Sequence, residues 1–280
     1  MKERFVTLRG MDFCVGEWGA PTDPPVVILH GWLDQILAWD RIATRIAAHG
    51  HRVLAFEQRG HGRSAHAPPG GYYHFPNYIA DFDAFVRAEG LTDFTLIGHS
   101  MGGTVSSNYT AFRSDRVRHL ILIDGLGPPA IDDDTAVRQY GRHLDQLADP
   151  PAQKILESIE DGIRRLKKFN PSLPDDEARR LAERVLEPLP GGAYQWRWDP
   201  LHKIRSPMPF DVDRHYRVLK AIGSPVTLMF GADSWYLQLP DLETRVALFG
   251  DMRGRILLDT GHSPHMENPE RLMAALTPVL

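Results

Sequence analysis

Apolar residues in the first half of the chain fall in short runs, not at helical spacing. The stretches 5–8, 26–29, 53–56, 94–97 and 120–123 are rich in Val, Ile, Leu or Phe and bounded by Gly, His or Asp. Each reads as a strand buried on both faces. Between them, 37–48, 75–89 and 101–112 have helical character. Strand and helix therefore alternate, which predicts an α/β fold with a mostly parallel central sheet flanked by helices. The alternation breaks after Gly125. Residues 128–222 turn helical and charged, with breaks at Pro150-Pro151, Pro171, Pro188, Gly191-Gly192 and Pro207. It resumes with a strand at 226–230, a helix over 239–249, a strand at 255–258 and a last helix from Pro269. The expected organisation is a core of 1–127 and 223–280 with a helical cap, 128–222, inserted over the C-terminal ends of the strands. Open α/β sheets bind ligands at those ends.

The strand at 94–97 runs into Gly98-His99-Ser100-Met101-Gly102-Gly103, and a helical segment follows at once. A G-x-S-x-G turn between strand and helix holds its serine in a strained conformation with the hydroxyl exposed, and needs small residues two places before and after. Ser100 is the candidate nucleophile. A serine hydroxyl needs a base, and the base an orienting acid. Of 13 histidines, His262 sits just past the last strand-like run, in a loop that can reach over the sheet edge to Ser100. His265 reads as a packing residue. The run at 26–29 ends in His30-Gly31-Trp32-Leu33-Asp34, and the backbone N–H groups of Trp32 and Met101 are the candidate oxyanion donors. Gln58 to Ser64 reads as a structural loop packed beneath the site.

Composition narrows the partners. With a net charge of −4 spread along 280 residues, there is no electrostatic footprint for nucleic acid or an anionic membrane. No stretch has the length of a signal-peptide core or a membrane span, so a cytoplasmic location is expected. The lone Cys14 can form no internal bridge and reads as a buried apolar residue. A chain of this length buries enough surface to need neither disulfide nor structural metal, and no metal or other cofactor is expected.

His30-Gly31, Arg59-Gly60-His61-Gly62-Arg63-Ser64, Gly98 to Gly103, and Gly261-His262 with Glu267 and Pro269 together resemble the α/β-hydrolase superfamily. Within it, His30-Gly31-Trp32-Leu33-Asp34 with Leu122-Ile123-Asp124-Gly125-Leu126-Gly127-Pro128 is similar to serine hydrolase-like proteins and related small esterases. The resemblance implies the α/β-hydrolase fold with a helical cap inserted after strand six. In most of the superfamily the acid follows the strand read here as 226–230, three residues after a Gly. Here Gly231-Ala232-Asp233-Ser234 puts a serine at that offset and an Asp one place early. A minority of families place the acid after the preceding strand, and small esterases resembling this chain pair such an Asp with a later Ser. The resemblance thus implies Asp124 as the acid with Ser234 assisting, and leaves Asp233 as the alternative; Asp259 reads as structural. Trp32 and Trp235 flank the predicted catalytic loops and are pocket candidates. Trp196 and Trp198 lie in an alternating aromatic segment of the cap and are candidates to line it. The expected activity is that of a carboxylesterase-like serine hydrolase, cleaving a small-molecule carboxylic ester or thioester through an acyl-enzyme on Ser100. The same site on the same fold also suits a carbon–carbon bond hydrolase, an acyltransferase or a perhydrolase; a non-catalytic ligand-binding protein is the other class.

Overall fold

Alternate residues of the central strands enter two separate apolar cores, so the sheet is covered on both faces. The computed structural model describes residues 1–280, the side chain of residue 133 excepted. Its elements are β1 (Lys2–Leu8), β2 (Met11–Trp18), β3 (Pro25–Leu29), α1 (Asp40–Ala48), β4 (Arg52–Phe56), α2 (Phe75–Ala88), β5 (Phe94–His99), α3 (Met101–Phe112) and β6 (Val117–Ile123). There follow α4 (Asp133–Ala148), α5 (Ile159–Phe169), α6 (Asp175–Val185), β7 (Leu186–Pro188), β8 (Tyr194–Trp196) and α7 (Val212–Lys220). The chain closes with β9 (Val226–Gly231), α8 (Leu242–Val246), β10 (Met252–Leu258), α9 (Pro264–Glu267) and α10 (Pro269–Leu276). Val27 and Leu29 of β3 join Tyr78, Phe82 and Phe85 of α2 in one core. Val26 and Ile28 join Ile42 and Ile46 of α1 and Leu272 and Leu276 of α10 in the other. Each such side chain stabilises the fold by about 1.5–3 kcal/mol when fully buried. No helix among the described residues is long and apolar enough to cross a membrane.

The eight-stranded sheet has the order β1-β2-β4-β3-β5-β6-β9-β10. Only β2 runs against the others, pairing antiparallel with both β1 and β4. Because β3, β5, β6 and β9 are adjacent and parallel, the loops leaving their C-terminal ends converge at one edge. Parallel strands joined through helices produce that convergence.

Four expectations change. β2 escaped the reading because Met11–Trp18 is interrupted by Asp12, Gly16 and Glu17. The first and last strands are half-exposed sheet edges and not buried on both faces. The helix expected over 239–249 shrinks to the short α8, since Pro240 cannot continue a helix from its N-terminal side. Between β6 and β9 lie α4 to α7 and a β7–β8 hairpin. α6 packs Ala178 and Leu181 into the core shared with α1. Trp196 and Trp198 belong to the inserted segment itself: their rings stack at 6.2 Å, and Lys203 Nζ lies 4.7 Å from the Trp198 ring. Neither lines the cavity that contains Ser100, which corrects their assignment as pocket residues. Trp196 ends β8 and lines a separate cavity between Gly62–His66 of the core and Gln153, Glu187 and Pro200 of the insertion, while Trp198 follows the strand and is buried.

Arg245 of α8 is fully buried. Its guanidinium donates to the carbonyl oxygens of Leu126, Gly127 and Pro128 at 2.7–2.9 Å and to Asp241 Oδ2 at 2.8 Å. It thereby holds the chain just after β6. Arg245→Met withdraws these charge-assisted bonds from the turn, leaving Leu126 O and Gly127 O only the His215 and Tyr236 donors and Pro128 O none, and should cost about 3 kcal/mol. The urea midpoint should fall accordingly, with secondary structure retained below it.

Candidate active site

The turn from β5 into α3 leaves no room for side chains. A Cβ on Gly102 would lie 2.2 Å from the Leu29 carbonyl oxygen, and one on Gly103 would lie 2.6 Å from Gly125 Cα. A Cβ on Gly98 would meet Ser106 Oγ at 2.4 Å. Glycine at these positions lets α3 start hard against β3 and β6, and forces Ser100 to φ 52°, ψ −117°. Left-handed φ is strained for serine and is characteristic of functional turns. The Ser100 N–H is bonded to Ile123 O at 3.0 Å, which ties the turn to β6.

Ser100 Oγ lies 3.0 Å from His262 Nε2, and His262 Nδ1 lies 3.1 Å from Asp124 Oδ2. Asp124 follows β6, is fully buried and has φ 44°; its N–H is held by Met229 O at 3.0 Å. Burial raises its carboxyl above the ordinary range, and bonds from His262, Ser234 and the Gly231 N–H offset part of that rise. Ser234 Oγ is 3.4 Å from His262 Nδ1 and accepts the Tyr236 N–H at 3.2 Å. With Nδ1–H committed to Asp124, the Ser234 hydroxyl is placed to donate to the same carboxylate. Asp233 is exposed and makes no bond to His262, so of the two acid candidates the structure brings only Asp124 to the histidine. Trp235 packs beside the imidazole, centroids 5.3 Å apart.

The loop that carries Trp32 is held by neutral histidines. His61 accepts the Leu33 N–H on Nε2 at 3.1 Å, while its Nδ1 faces Arg59 O. His30 accepts the Gln58 N–H on Nε2. Burial lowers the pKa of both rings, which suits nitrogens that accept. The Gly31 backbone lies against Ser100, with a Cβ there 3.3 Å from Ser100 Cβ. The N–H groups of Trp32 and Met101 have no hydrogen-bond acceptor among the described residues.

Several residues that support the site escaped the sequence reading. His99 donates from Nε2 to the His262 carbonyl oxygen at 2.8 Å. Glu267 accepts the N–H groups of Gly261 and Ser263 at 2.7 and 3.0 Å, bracketing His262. In the sequence Glu267 stands out only through the resemblance, and His99 only as the second residue of the turn. His265 is a packing residue as expected, stacked on Trp39 and bonded to Asp34 Oδ2 at 3.1 Å. Asp34, His99 and His265 form a buried group compact enough to hold a cation. Both Asp34 oxygens are engaged by Gln35 N–H, Trp39 Nε1–H and His265, while His99 Nδ1 and His265 Nδ1 are buried without a partner.

A cavity of about 1080 Å³ opens from Ser100 and is lined by Trp32 and Trp235, whose side chains stand at its mouth, and by Phe75, Met101, Phe210 and Tyr236. The lining is mainly apolar, the usual make-up of a small-molecule site.

The family described as alpha/beta hydrolase fold matches residues 24–269. A serine hydrolase-like protein of Danio rerio is 28% identical over 274 residues, covering 94% of this chain and 83% of its own. Among solved structures, a thioesterase domain from the curacin biosynthetic pathway superposes with a TM-score of 0.86 at 30% identity, covering 100% of this chain and 98% of its own. A hypothetical protein from Pseudomonas aeruginosa PAO1 gives 0.87 at 27% identity, covering 99% and 100%.

Glu57, at the end of β4, anchors two loops of the site by accepting the Ile36 and Arg63 N–H groups at 3.1 and 2.8 Å. Burial outweighs those bonds and pushes its carboxyl up to about 7 from 4.5. The folded protein therefore keeps this proton over a range in which the unfolded chain releases it. Stability should fall as pH rises between those values, by an amount on the order of 3 kcal/mol. Glu57→Gln should remove this part of the slope in urea titrations from pH 4.5 to 7.5.

Proposed function

We propose a serine hydrolase mechanism for this chain, which belongs to the alpha/beta hydrolase family. The observation that carries the reading is the continuous line Ser100 Oγ, His262 Nε2, His262 Nδ1, Asp124 Oδ2, with both contacts near 3 Å. In this reading Ser100 attacks the carbonyl carbon of an ester or thioester as its proton passes to His262 Nε2. The imidazolium that forms is stabilised by Asp124, which also holds the ring in the tautomer that leaves Nε2 free to accept. The oxyanion takes the N–H groups of Trp32 and Met101, donors already free of internal partners. His262 then protonates the leaving alcohol or thiol, and water, activated by the same nitrogen, releases the acid from the acyl-enzyme.

Residues 128–222 act as a cap in this scheme. Pro128, Met208, Phe210 and His215 from this segment line the Ser100 cavity, so it shapes the substrate pocket without supplying a reacting group. Trp32 and Trp235 bound the entrance near the nucleophile. Similarity to a thioesterase domain at 30% identity supports including thioesters with carboxylic esters as the substrate class.

A fluorophosphonate probe should label Ser100, seen as a single adduct by intact-mass spectrometry and lost in Ser100→Ala. A folded native protein that takes no adduct would overturn the reading. Against p-nitrophenyl acetate, Asp124→Asn should lower kcat by about 10³ to 10⁴, the scale set by withdrawing the acid of a Ser-His-Asp triad. Asp233→Asn should cost roughly tenfold or less, as a substitution in an exposed loop. Ser234→Ala should fall between them, since it removes one hydrogen bond to a charged group worth about 1.5–3 kcal/mol, roughly ten- to a hundredfold.

A further inference from the structure

The cavity that begins at Ser100 is longer than the small-ester reading requires, and its outer part is charged. Thr104, Asn108 and Phe112 line it at successive turns of α3, so it follows that helix for its length. Twelve helical residues span about 18 Å. A second wall is α7, whose residues Arg214, Arg217, Val218 and Ala221 line the same space. The two helices run in the same direction. His215 Nε2, near the start of α7, bonds to Leu126 O at 2.8 Å just beyond Asp124, while Gly223 N–H beyond its end reaches Ser114 Oγ beyond α3. Ser100 thus lies at one end of a trough walled by α3 and α7.

Three guanidinium groups belong to this trough: Arg205, which precedes α7, and Arg214 and Arg217 on it. All three are exposed at its rim. None pairs with a carboxylate among the described residues, although most arginines of the chain do. The single carboxylate lining the trough, Asp211, accepts the Arg214 backbone N–H at 2.8 Å as the helix cap. Positive charge therefore exceeds negative along an apolar wall in a chain whose net charge is −4. Guanidinium groups bind the oxygens of carboxylates and phosphates through paired N–H donors.

We infer that the substrate is anionic: a chain long enough to fill the apolar floor of the trough carries a carboxylate or phosphate that Arg214 and Arg217 hold, with Arg205 at the rim. The inference rests on the Ser100 reading only for where the reacting carbonyl sits. The anion has two sources, the far end of the acyl chain or the leaving group, and two substrate pairs separate them. The first compares p-nitrophenyl monoesters of linear dicarboxylic acids with p-nitrophenyl esters of uncharged acids of equal length. The second compares acyl-coenzyme A with the same acyl group on N-acetylcysteamine.

Native protein should favour the anionic member of one pair by roughly tenfold or more in kcat/KM, the scale of one charge-assisted contact. The preference should approach one in Arg214→Gln/Arg217→Gln, survive in Arg214→Lys/Arg217→Lys, and weaken with added salt. Equal ratios in native and Gln/Gln protein for both pairs would overturn the inference. Binding of suberate and of coenzyme A to Ser100→Ala, followed by tryptophan fluorescence, makes the same comparison without turnover. If native protein neither cleaves esters nor takes the fluorophosphonate, the hydrolase reading fails by itself. The arginine inference then stands if Gln/Gln substitution in the Ser100→Ala background weakens suberate or coenzyme A binding by roughly tenfold, and falls if both are unaffected.

Discussion

Backbone against backbone, with no space for a methyl group, is the contact on which the rest of the site depends. At Gly102 the helix α3 meets the Leu29 carbonyl, and at Gly103 it meets Gly125, at distances that a Cβ would close to 2.2 and 2.6 Å. This brings the start of α3 down onto the C-terminal ends of β3 and β6. Ser100 is left in a left-handed conformation with its hydroxyl standing clear of the sheet. The same approach draws the loop after β3, with the free N–H of Trp32, to one side of the serine. The loop after β6, with Asp124, lies on the other. Larger residues at either glycine would separate Ser100 from the Trp32 N–H and from Asp124 at once.

The strain is sustained by what surrounds it. Leu33, Ser100 and Asp124 all have positive φ without being glycine, and each costs of the order of 1–3 kcal/mol. Their backbones are held by bonds to His61, Ile123 and Met229 respectively. The His262 loop is fixed in turn by His99 and Glu267, and the chain after β6 by Arg245. Each of these supports is a buried polar group whose loss leaves a donor or acceptor without a partner, so geometry and stability at this site are set by the same bonds. Burial that raises the Asp124 carboxyl is also what makes its interaction with an imidazolium strong, because little water competes for either charge.

Much of this was legible in the chain because it is local. Short apolar runs bounded by Gly and His mark β3 to β6 and β9, since a strand covered on both faces needs no polar alternation. Gly98-His99-Ser100-Met101-Gly102 marks the turn, because its close approaches admit only small residues at fixed offsets. His262 was found from its place after the last strand. β2 was not legible, as its Asp, Gly and Glu residues break any apolar run. Trp196 and Trp198 were legible as part of an extended segment, but alternation alone does not say that the cavity Trp196 lines is a different one from that of Ser100.

The amino-acid sequence by itself determined the alternation of strands and helices, the tight turn that carries Ser100 and the short list of titratable residues that could stand beside it. Which carboxylate meets His262 was decided by tertiary structure. β6 and β9 are in register from Leu120 with Val226 to Ile123 with Met229, and the Asp124 N–H is bonded to Met229 O. That register brings Asp124 beneath the imidazole, while Asp233, two residues past the end of β9, turns out to solvent. His99, Glu267 and the trough arginines took their places for the same reason. Their partners lie far away in the chain, and only the pairing of strands and the packing of α3 against α7 bring them within reach.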